Sequence, residues 1–527
     1  MTELSFEPLA PVKFLERSAY VFAGCTAVVD GGRRFTYAEL WERVRRAAGA
    51  LAAAGVSPGD RVAVLAPNTS MLLEATFAVP AAGAVLVALN TRLAAGELAW
   101  ILGHCGARVL LCDHTLAGLA GEAVARMSGG RPLRITAGGT AGTGDAAGDY
   151  EQRLQAAGPL LVPVTDERAP LSINYTSGTT GRPKGVVYHH RGAYLQALAM
   201  ALHTRLGPDS TYLWTLPMFH CNGWCFPWAV TAAGAAHVCL PRVDPARAWE
   251  LIRAEHVTHL CGAPTVLGAL LAHPDAPQAA LEPRLLACTG GAPPGPALLA
   301  RAAAAGIDVL HLYGLTETYG PAGICQPQSG WEGLPASERA RLTARQGVGN
   351  VIAERIRVID PHGRDVPADG RAVGEIALRG NDLMLGYYND PDATAAAAPG
   401  GWFRTGDLGV VHPDGYVELV DRAKDIIISG GENIASVEVE KVLDACPGVA
   451  ESAVVGRPDE RWGEVPVAYV TLQEGASLSE QALIEWVRAR LAHFKAPKEV
   501  IFGPLPKTST GKIQKTVLRK QAAGRAR

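Results

Sequence analysis

Short apolar, β-branched runs alternate with Ala/Leu-rich stretches of helical period along most of the chain. Arg61–Leu65 and Arg108–Cys112 read as buried strands, with helical patterns around Leu72–Phe77 and Gly96–Gly103. Leu171–Tyr175, Thr211–Leu216, Ala236–Leu240, Thr258–Cys261, Leu285–Thr289 and Val309–Tyr313 continue the strand series. Strands that alternate with helices need crossover connections. The pattern therefore predicts an α/β fold of largely parallel, doubly wound sheets, with ligands bound beyond the carboxyl ends of the strands. Thr136–Asp149 has no period and reads as a mobile surface loop. After Asp360 the texture turns to Pro/Gly-punctuated β sequence such as Gly374–Gly380, predicting a small β subdomain, and beyond Asp421 a separate small α+β domain is expected.

Composition narrows the function classes. A chain of 527 residues is too long for one compact core, and 48% apolar with 19% charged residues is ordinary globular composition. A net charge of −2 gives no electrostatic reason to expect nucleic acid or an anionic membrane as partner. The longest apolar stretch, Met71–Leu89, carries Glu74 and Pro80, which fits a buried helix leading into a strand better than a membrane span. The ten cysteines form no paired CxxC framework, and Cys221 and Cys225 have the wrong spacing for a zinc ribbon, so buried thiols in a reducing compartment are expected. With no basic-then-apolar leader after Met1 and no peroxisomal address at Gly524–Arg527, the expectation is a cytoplasmic protein. No oligomeric state is legible, and a homodimer is compatible with the sequence.

The strongest local signal is Tyr175-Thr-Ser-Gly-Thr-Thr-Gly-Arg-Pro-Lys-Gly185, directly after a predicted strand. Its glycines, Gly178 and Gly181 among them, let backbone N–H groups converge on an anion. Thr176, Ser177, Thr179 and Thr180 add hydroxyl donors, and Lys184 adds positive charge. This suits a triphosphate. It is not a Walker A loop, since Gly185 follows the lysine where Ser or Thr would be required. A merely flexible turn would not need this density of donors.

The segment through Val186-Val-Tyr-His-His-Arg-Gly192 closely resembles the phosphate-loop signature of the adenylate-forming superfamily, which holds acyl-CoA synthetases, peptide-synthetase adenylation domains and luciferases. Tyr313-Gly-Leu-Thr-Glu317, Trp402–Asp407, Asp421-Arg-Ala-Lys-Asp425 with Ser429–Asn433, and Pro506–Lys512 follow in that family's order and spacing. The resemblance implies an N-terminal AMP-binding domain over residues 1–420, a hinge at 421–424 and a mobile C-terminal domain over 425–527. It also implies an activity: a carboxylic acid attacks the α-phosphorus of ATP, and the acyl-adenylate passes its acyl group to coenzyme A.

Both reactants of adenylation are anions, so the site must offset their repulsion and the charge on the leaving pyrophosphate. By resemblance Lys512 supplies positive charge to the carboxylate and the bridging oxygen. Glu317 is the implied Mg2+ ligand, and Thr316 a phosphate donor; a hard cation bridging phosphates needs only one or two protein carboxylates. Asp407 would accept hydrogen bonds from both ribose hydroxyls, with Arg422 adding a further contact. Tyr313, before Gly314, offers a face to adenine, while Gly290-Gly291-Ala292 permits close backbone approach to its other side. Lys424 sits at the family's hinge position. Rotation there would either bring Lys512 to the adenylate or present Ser429-Gly430-Gly431 beside a coenzyme A channel. Asp421 departs from the family's commonest hinge pattern, in which glycine precedes the arginine.

Pro217–Trp228 resembles the acyl-pocket region of fatty- and aryl-acid CoA ligases. His220 stands where peptide-synthetase domains carry an aspartate for the substrate's α-amino group, so an amino acid substrate is disfavoured. His220, Cys221, Trp224 and Trp228 are expected to line an apolar pocket for a medium-chain fatty or aromatic acid, with core packing the alternative for the tryptophans. His189-His190 is not read as a metal site, because adjacent side chains do not normally converge on one ion. Two other readings stand beside the CoA ligase: adenylation with transfer to a carrier-protein thiol or another acceptor, and a nucleotide-binding regulator without catalysis. The second of these is disfavoured by the presence of Lys512, Glu317 and Asp407 together.

Overall fold

The computed structural model describes residues 6–138, 150–176, 183–277, 279–429, 432–508 and 512–524. Two large sheets dominate the N-terminal part. One has seven strands in the order Gly386–Tyr387, Gly185–His189, Pro170–Tyr175, Val85–Ala88, Arg61–Leu65, Ala107–Asp113, Leu133–Ala137. The other has nine, running from Val348–Gly349 through Gly320–Ile324, Ile307–Leu315, Leu285–Thr289, His259–Gly262, Thr211–Leu213 and Ala236–Val238 to Thr26–Asp30 and Arg33–Thr36.

The central pairs of both sheets are parallel, as alternating strands and helices require. The exceptions matter for the site. Pro170–Tyr175 and Gly185–His189 form an antiparallel hairpin, so the Gly/Thr-rich loop connects two paired strands where a Walker A loop would run from strand to helix. Ile307–Leu315 likewise turns back antiparallel into Gly320–Ile324.

Between the two sheets lies the main core. The Ser70–Ala81 helix is buried at every position, which explains its all-round apolar sequence and the Val85–Ala88 strand that follows. Glu74 within it is fully buried and bonded to Arg43 (Nε to Oε1, 2.6 Å) and to the Tyr150 hydroxyl (2.9 Å). Arg43 also pairs with Glu151. Among the described residues no helix is long and apolar enough to cross a membrane. All cysteines are free thiols, and all but Cys25 are buried.

An antiparallel four-stranded sheet, Arg357–Ile359, Gly374–Leu378, Phe403–Val411 and Val417–Arg422, forms the β subdomain. The C-terminal unit has its own sheet, built on the long hairpin Val449–Asp459 and Gly463–Leu472. The helices Ser436–Asp444, Glu480–Arg488 and Lys515–Ala523 accompany it. The fold is the expected α/β architecture with a smaller C-terminal α+β unit.

One boundary needs correction. Thr136 and Ala137 belong to the strand Leu133–Ala137, paired in parallel with Cys112 and Asp113, so the expected loop does not begin at Thr136. Residues 139–149 lie outside the described residues.

Candidate functional site

Five of the predicted site residues gather at the boundary between the β subdomain and the C-terminal unit. Asp407 and Arg422 are direct partners across antiparallel strands. Asp407 is buried; its Oδ2 accepts the Tyr313 hydroxyl at 2.8 Å, and its Oδ1 lies 3.0 Å from Arg422 Nε. That ion pair is not aligned as a hydrogen bond, so Oδ1 keeps acceptor capacity. Burial, and then the Asp407 charge, push the Tyr313 phenol well above its usual pKa, and it stays a donor to Asp407. The Tyr313 ring packs with Ala322, Ile356 and Val358.

Lys512 stands at the end of a short excursion closed at its neck: Thr508 N–H donates to Lys512 O (2.7 Å), and Lys512 N–H to Thr508 Oγ1 (3.1 Å). Lys512 keeps exposed surface, yet enough protein surrounds its ammonium to desolvate it. Desolvation first, then Arg422, Lys424 and Lys515, lower its pKa to about 8 against an opposing pull from Asp407. His220 is lowered to about 4, by burial and then by the Lys512 charge, and is neutral at ordinary pH. Lys512, Asp407, Arg422 and Lys424 therefore lie within electrostatic reach of one another, and His220 within reach of Lys512. Lys424 is exposed, and its own pKa is lowered by desolvation and then by Arg422.

Tyr313 belongs to the Ile307–Leu315 strand, which turns back into Gly320–Ile324. Gly314 is obligatory there, because a Cβ would meet Gly320 O at 2.0 Å. Thr316 and Glu317 form a one-turn 3-10 segment after the strand. Tyr188 donates to Thr316 O (2.6 Å), and Tyr387 donates to Glu317 Oε1 (2.9 Å). Lys184 Nζ sits 4.5 Å from the centroid of the same Tyr387 ring, so the residue closing the Gly/Thr-rich loop and the acidic residue share one aromatic contact. Thr176 N–H donates to Lys184 O (2.9 Å) at the neck of that loop. Ser177, Gly178, Thr179, Thr180, Gly181, Gly430 and Gly431 lie outside the described residues. Ser429 is buried in a short strand and pairs with Gly463.

The acid-pocket segment contains a feature that motif reading does not reveal. Cys221, Asn222, Gly223, Trp224 and Cys225 all have positive φ, from 41° to 64°, forming a left-handed turn directly after His220. Each non-glycine residue in that conformation costs about 1–2 kcal/mol. The surroundings hold it: Asn222 Oδ1 accepts Ser172 Oγ (2.9 Å), and Gly223 N–H donates to His220 O (2.8 Å). The turn lays the Trp224 indole against the Leu285–Thr289 strand end, where a Cβ on Gly290 would come within 3.0 Å of Trp224 Cη2. Gly290 is buried, while Gly291 and Ala292 are exposed. Cys221 Sγ reaches Thr316 Oγ1 at 3.7 Å. Trp228 has no exposed surface and packs edge-on to Tyr319, on the helix after the turn, in keeping with the core-packing alternative for this residue.

Tyr188, Tyr319, Tyr387, Asn222 and Ser172 were missed in the sequence. Only the Asn222-Gly223 pair carried a local signal, as residues that tolerate positive φ. His189 has a local task of its own: its Nδ1 accepts Gly192 N–H (2.9 Å) and caps the His190–Thr204 helix.

Residues 15–388 match the AMP-binding enzyme family, and residues 438–512 match the AMP-binding enzyme C-terminal domain. The peroxisomal acetate/butyrate–CoA ligase AAE7 of Arabidopsis thaliana is 42% identical over 98% of this chain and 95% of its own length. The 4-hydroxybutyrate–CoA ligase 2 of Metallosphaera sedula is also 42% identical, over 99% of this chain and 96% of its own. Among solved structures, the anthranilate CoA ligase AuaEII in complex with anthranoyl-AMP superposes with a TM-score of 0.87 at 26% identity, covering 98% of each chain. The chain belongs to the AMP-binding enzyme family, as an acyl-CoA synthetase of the adenylate-forming superfamily. It is an ATP-dependent acid–CoA ligase.

Proposed function

We propose that the enzyme activates a short aliphatic monocarboxylic acid through an acyl-adenylate and transfers the acyl group to coenzyme A. The observation that carries this reading is the Trp224 indole, seated by a left-handed turn against Gly290 at the end of the Leu285–Thr289 strand, a bulky side chain that suits a small acid. The relatives support it, since their names specify acetate, butyrate and 4-hydroxybutyrate. This is a smaller acid than the medium-chain or aromatic one expected from the sequence.

In this reading Asp407 Oδ1 accepts a ribose hydroxyl, while Tyr313 and Arg422 fix the carboxylate. Lys512 offers its charge to the attacking carboxylate and the bridging oxygen as pyrophosphate leaves. Neutral His220 borders the acid and, lacking charge, neither attracts nor repels its carboxylate before Lys512 does. Thr316 and the hydroxyl-rich 176–180 segment serve the phosphates together with Lys184. Lys424 is the pivot between residues 1–420 and 425–527, and Ser429–Gly431 border the thiol channel after rotation.

Glu317 fits a magnesium ion as a hard carboxylate donor, held in place by the Tyr387 hydroxyl. When bound, the ion would supply positive charge against the charge developing on the phosphates.

The test is product analysis by mass with ATP, CoA and a panel of acids from acetate to benzoate. Thioesters of two- to five-carbon acids are expected to dominate. Thioesters formed only from aromatic or long-chain acids would overturn the assignment of the acid. A mass shift only on a carrier protein or amine, with CoA inert, would overturn that of the acceptor.

A further inference from the structure

The Ser436–Asp444 helix, the first of the C-terminal unit, has no cap of its own, because Ala435 at the cap position offers no side-chain acceptor. The cap comes from Asp421, buried at the end of the Val417–Arg422 strand. Asp421 Oδ2 accepts both the Ser436 N–H and the Ser436 hydroxyl, the latter at 2.7 Å. Its Oδ1 accepts the Arg422 N–H at 2.7 Å. Ser436 Oγ in turn accepts from Lys515 Nζ at 2.6 Å, and Lys515 also pairs with Glu440 at 2.7 Å. Lys515 opens the Lys515–Ala523 helix three residues after Lys512. A second bridge, Lys441 to Glu418 at 3.0 Å, joins the same helix and strand at the surface, where screening makes it weak.

Asp421 precedes Lys424 in the chain, whereas Ser436 and Lys515 follow it. We propose that Asp421 is a positioning residue: by capping the Ser436–Asp444 helix from across the pivot, it holds the C-terminal unit in the orientation that delivers Lys512 for adenylation. This rests on the reading of Lys424 as the pivot. Rotation there carries Ser436 away from Asp421, leaving a buried carboxylate and a helix N-terminus without partners. The orientation with Lys512 in the cleft is thus favoured before any ligand binds, and its population depends on this contact.

The test separates the two half-reactions. In Asp421→Ala, acid-dependent exchange of pyrophosphate into ATP falls about five- to tenfold, the population loss expected from a missing cap. Transfer to CoA from a supplied acyl-adenylate is unchanged or faster. Asp421→Asn keeps an acceptor oxygen at the cap and retains most of the exchange. Ser436→Ala, which keeps the backbone N–H, shows the same one-sided loss in weaker form and keeps the test open should Asp421→Ala fail to fold. Parallel loss of both half-reactions, or unchanged exchange, in these variants overturns the proposal while the parent enzyme remains active. Normal transfer in Lys424→Pro overturns the pivot on which it rests. Absence of exchange in the parent enzyme with any acid would instead overturn the adenylation reading itself.

Discussion

Asp407 and Arg422 face each other across two antiparallel strands, with 3.0 Å between Oδ1 and Nε, and the hydroxyl of Tyr313 closes on the other carboxylate oxygen. The pair lies within electrostatic reach of Lys512, so Asp407, Arg422 and Lys512 belong to one charge system.

Replacing Asp407 by Ala leaves Arg422 and the Tyr313 hydroxyl without their partner. A hydrogen bond to a charged group contributes about 1.5–3 kcal/mol. The KM for ATP is expected to rise roughly ten- to a hundredfold, with a smaller change in the KM for the acid. Steady-state kinetics with each substrate varied in turn checks this.

Lys512→Ala is expected to abolish pyrophosphate exchange and to spare CoA transfer from a supplied acyl-adenylate; equal loss of both would refute its assignment to adenylation. The same residue sets a pH limit. Its pKa in the free enzyme is lowered to about 8, so the ammonium is present below that pH and is lost as pH rises through it. The kcat/KM for acid activation should bend downward near pH 8, and the bend should vanish in Lys512→Arg if that variant retains activity. His220, at about 4, should contribute no inflection between pH 6 and pH 8.

Trp224→Ala opens the space against Gly290. Preference should move toward longer acids, with about 0.8 kcal/mol, roughly fourfold, gained per methylene that the new volume accepts. Relative kcat/KM along a series from acetate to octanoate measures the shift, and an unchanged optimum would remove Trp224 from the pocket.

Glu74→Leu leaves Arg43 with Glu151 as its carboxylate partner and removes the acceptor of the buried Tyr150 hydroxyl. An unsatisfied buried donor costs about 1–3 kcal/mol. Thermal unfolding should fall by several degrees, with the KM for ATP nearly unchanged in the folded fraction.

The sequence was most legible where chemistry demands particular residue types in a local run. Tyr313, Glu317, Asp407 and Lys512 were visible in that way, as were the strands Arg61–Leu65 and Leu285–Thr289 with their buried β-branched or apolar positions. Contacts that depend on distant register were not. Tyr387 reaches Glu317 only because Gly386–Tyr387 adds an edge strand to Gly185–His189. The strand expected over Thr211–Leu216 stops at Leu213, because Asn68 Nδ2 takes the carbonyls of Trp214 and Leu216 at 2.8 and 2.9 Å. The left-handed turn after His220 extends beyond Asn222-Gly223, where the residue types favour it, to Cys221, Trp224 and Cys225, where they do not, and tertiary partners such as Ser172 hold it. Trp224 and Trp228 look alike in sequence, but this turn sets Trp224 against Gly290, and the helix after it packs Trp228 on Tyr319 in the core. Asp421 read as a small departure from a motif, and its cap on Ser436 became visible only with the C-terminal helix in place.

The most direct test of the account is pyrophosphate exchange into ATP, measured across acids of increasing chain length with the parent enzyme. Acid-dependent exchange is expected to be strongest for acids of two to five carbons and absent without acid. Exchange with no acid in the series, or exchange that rises steadily toward long-chain and aromatic acids, would contradict it.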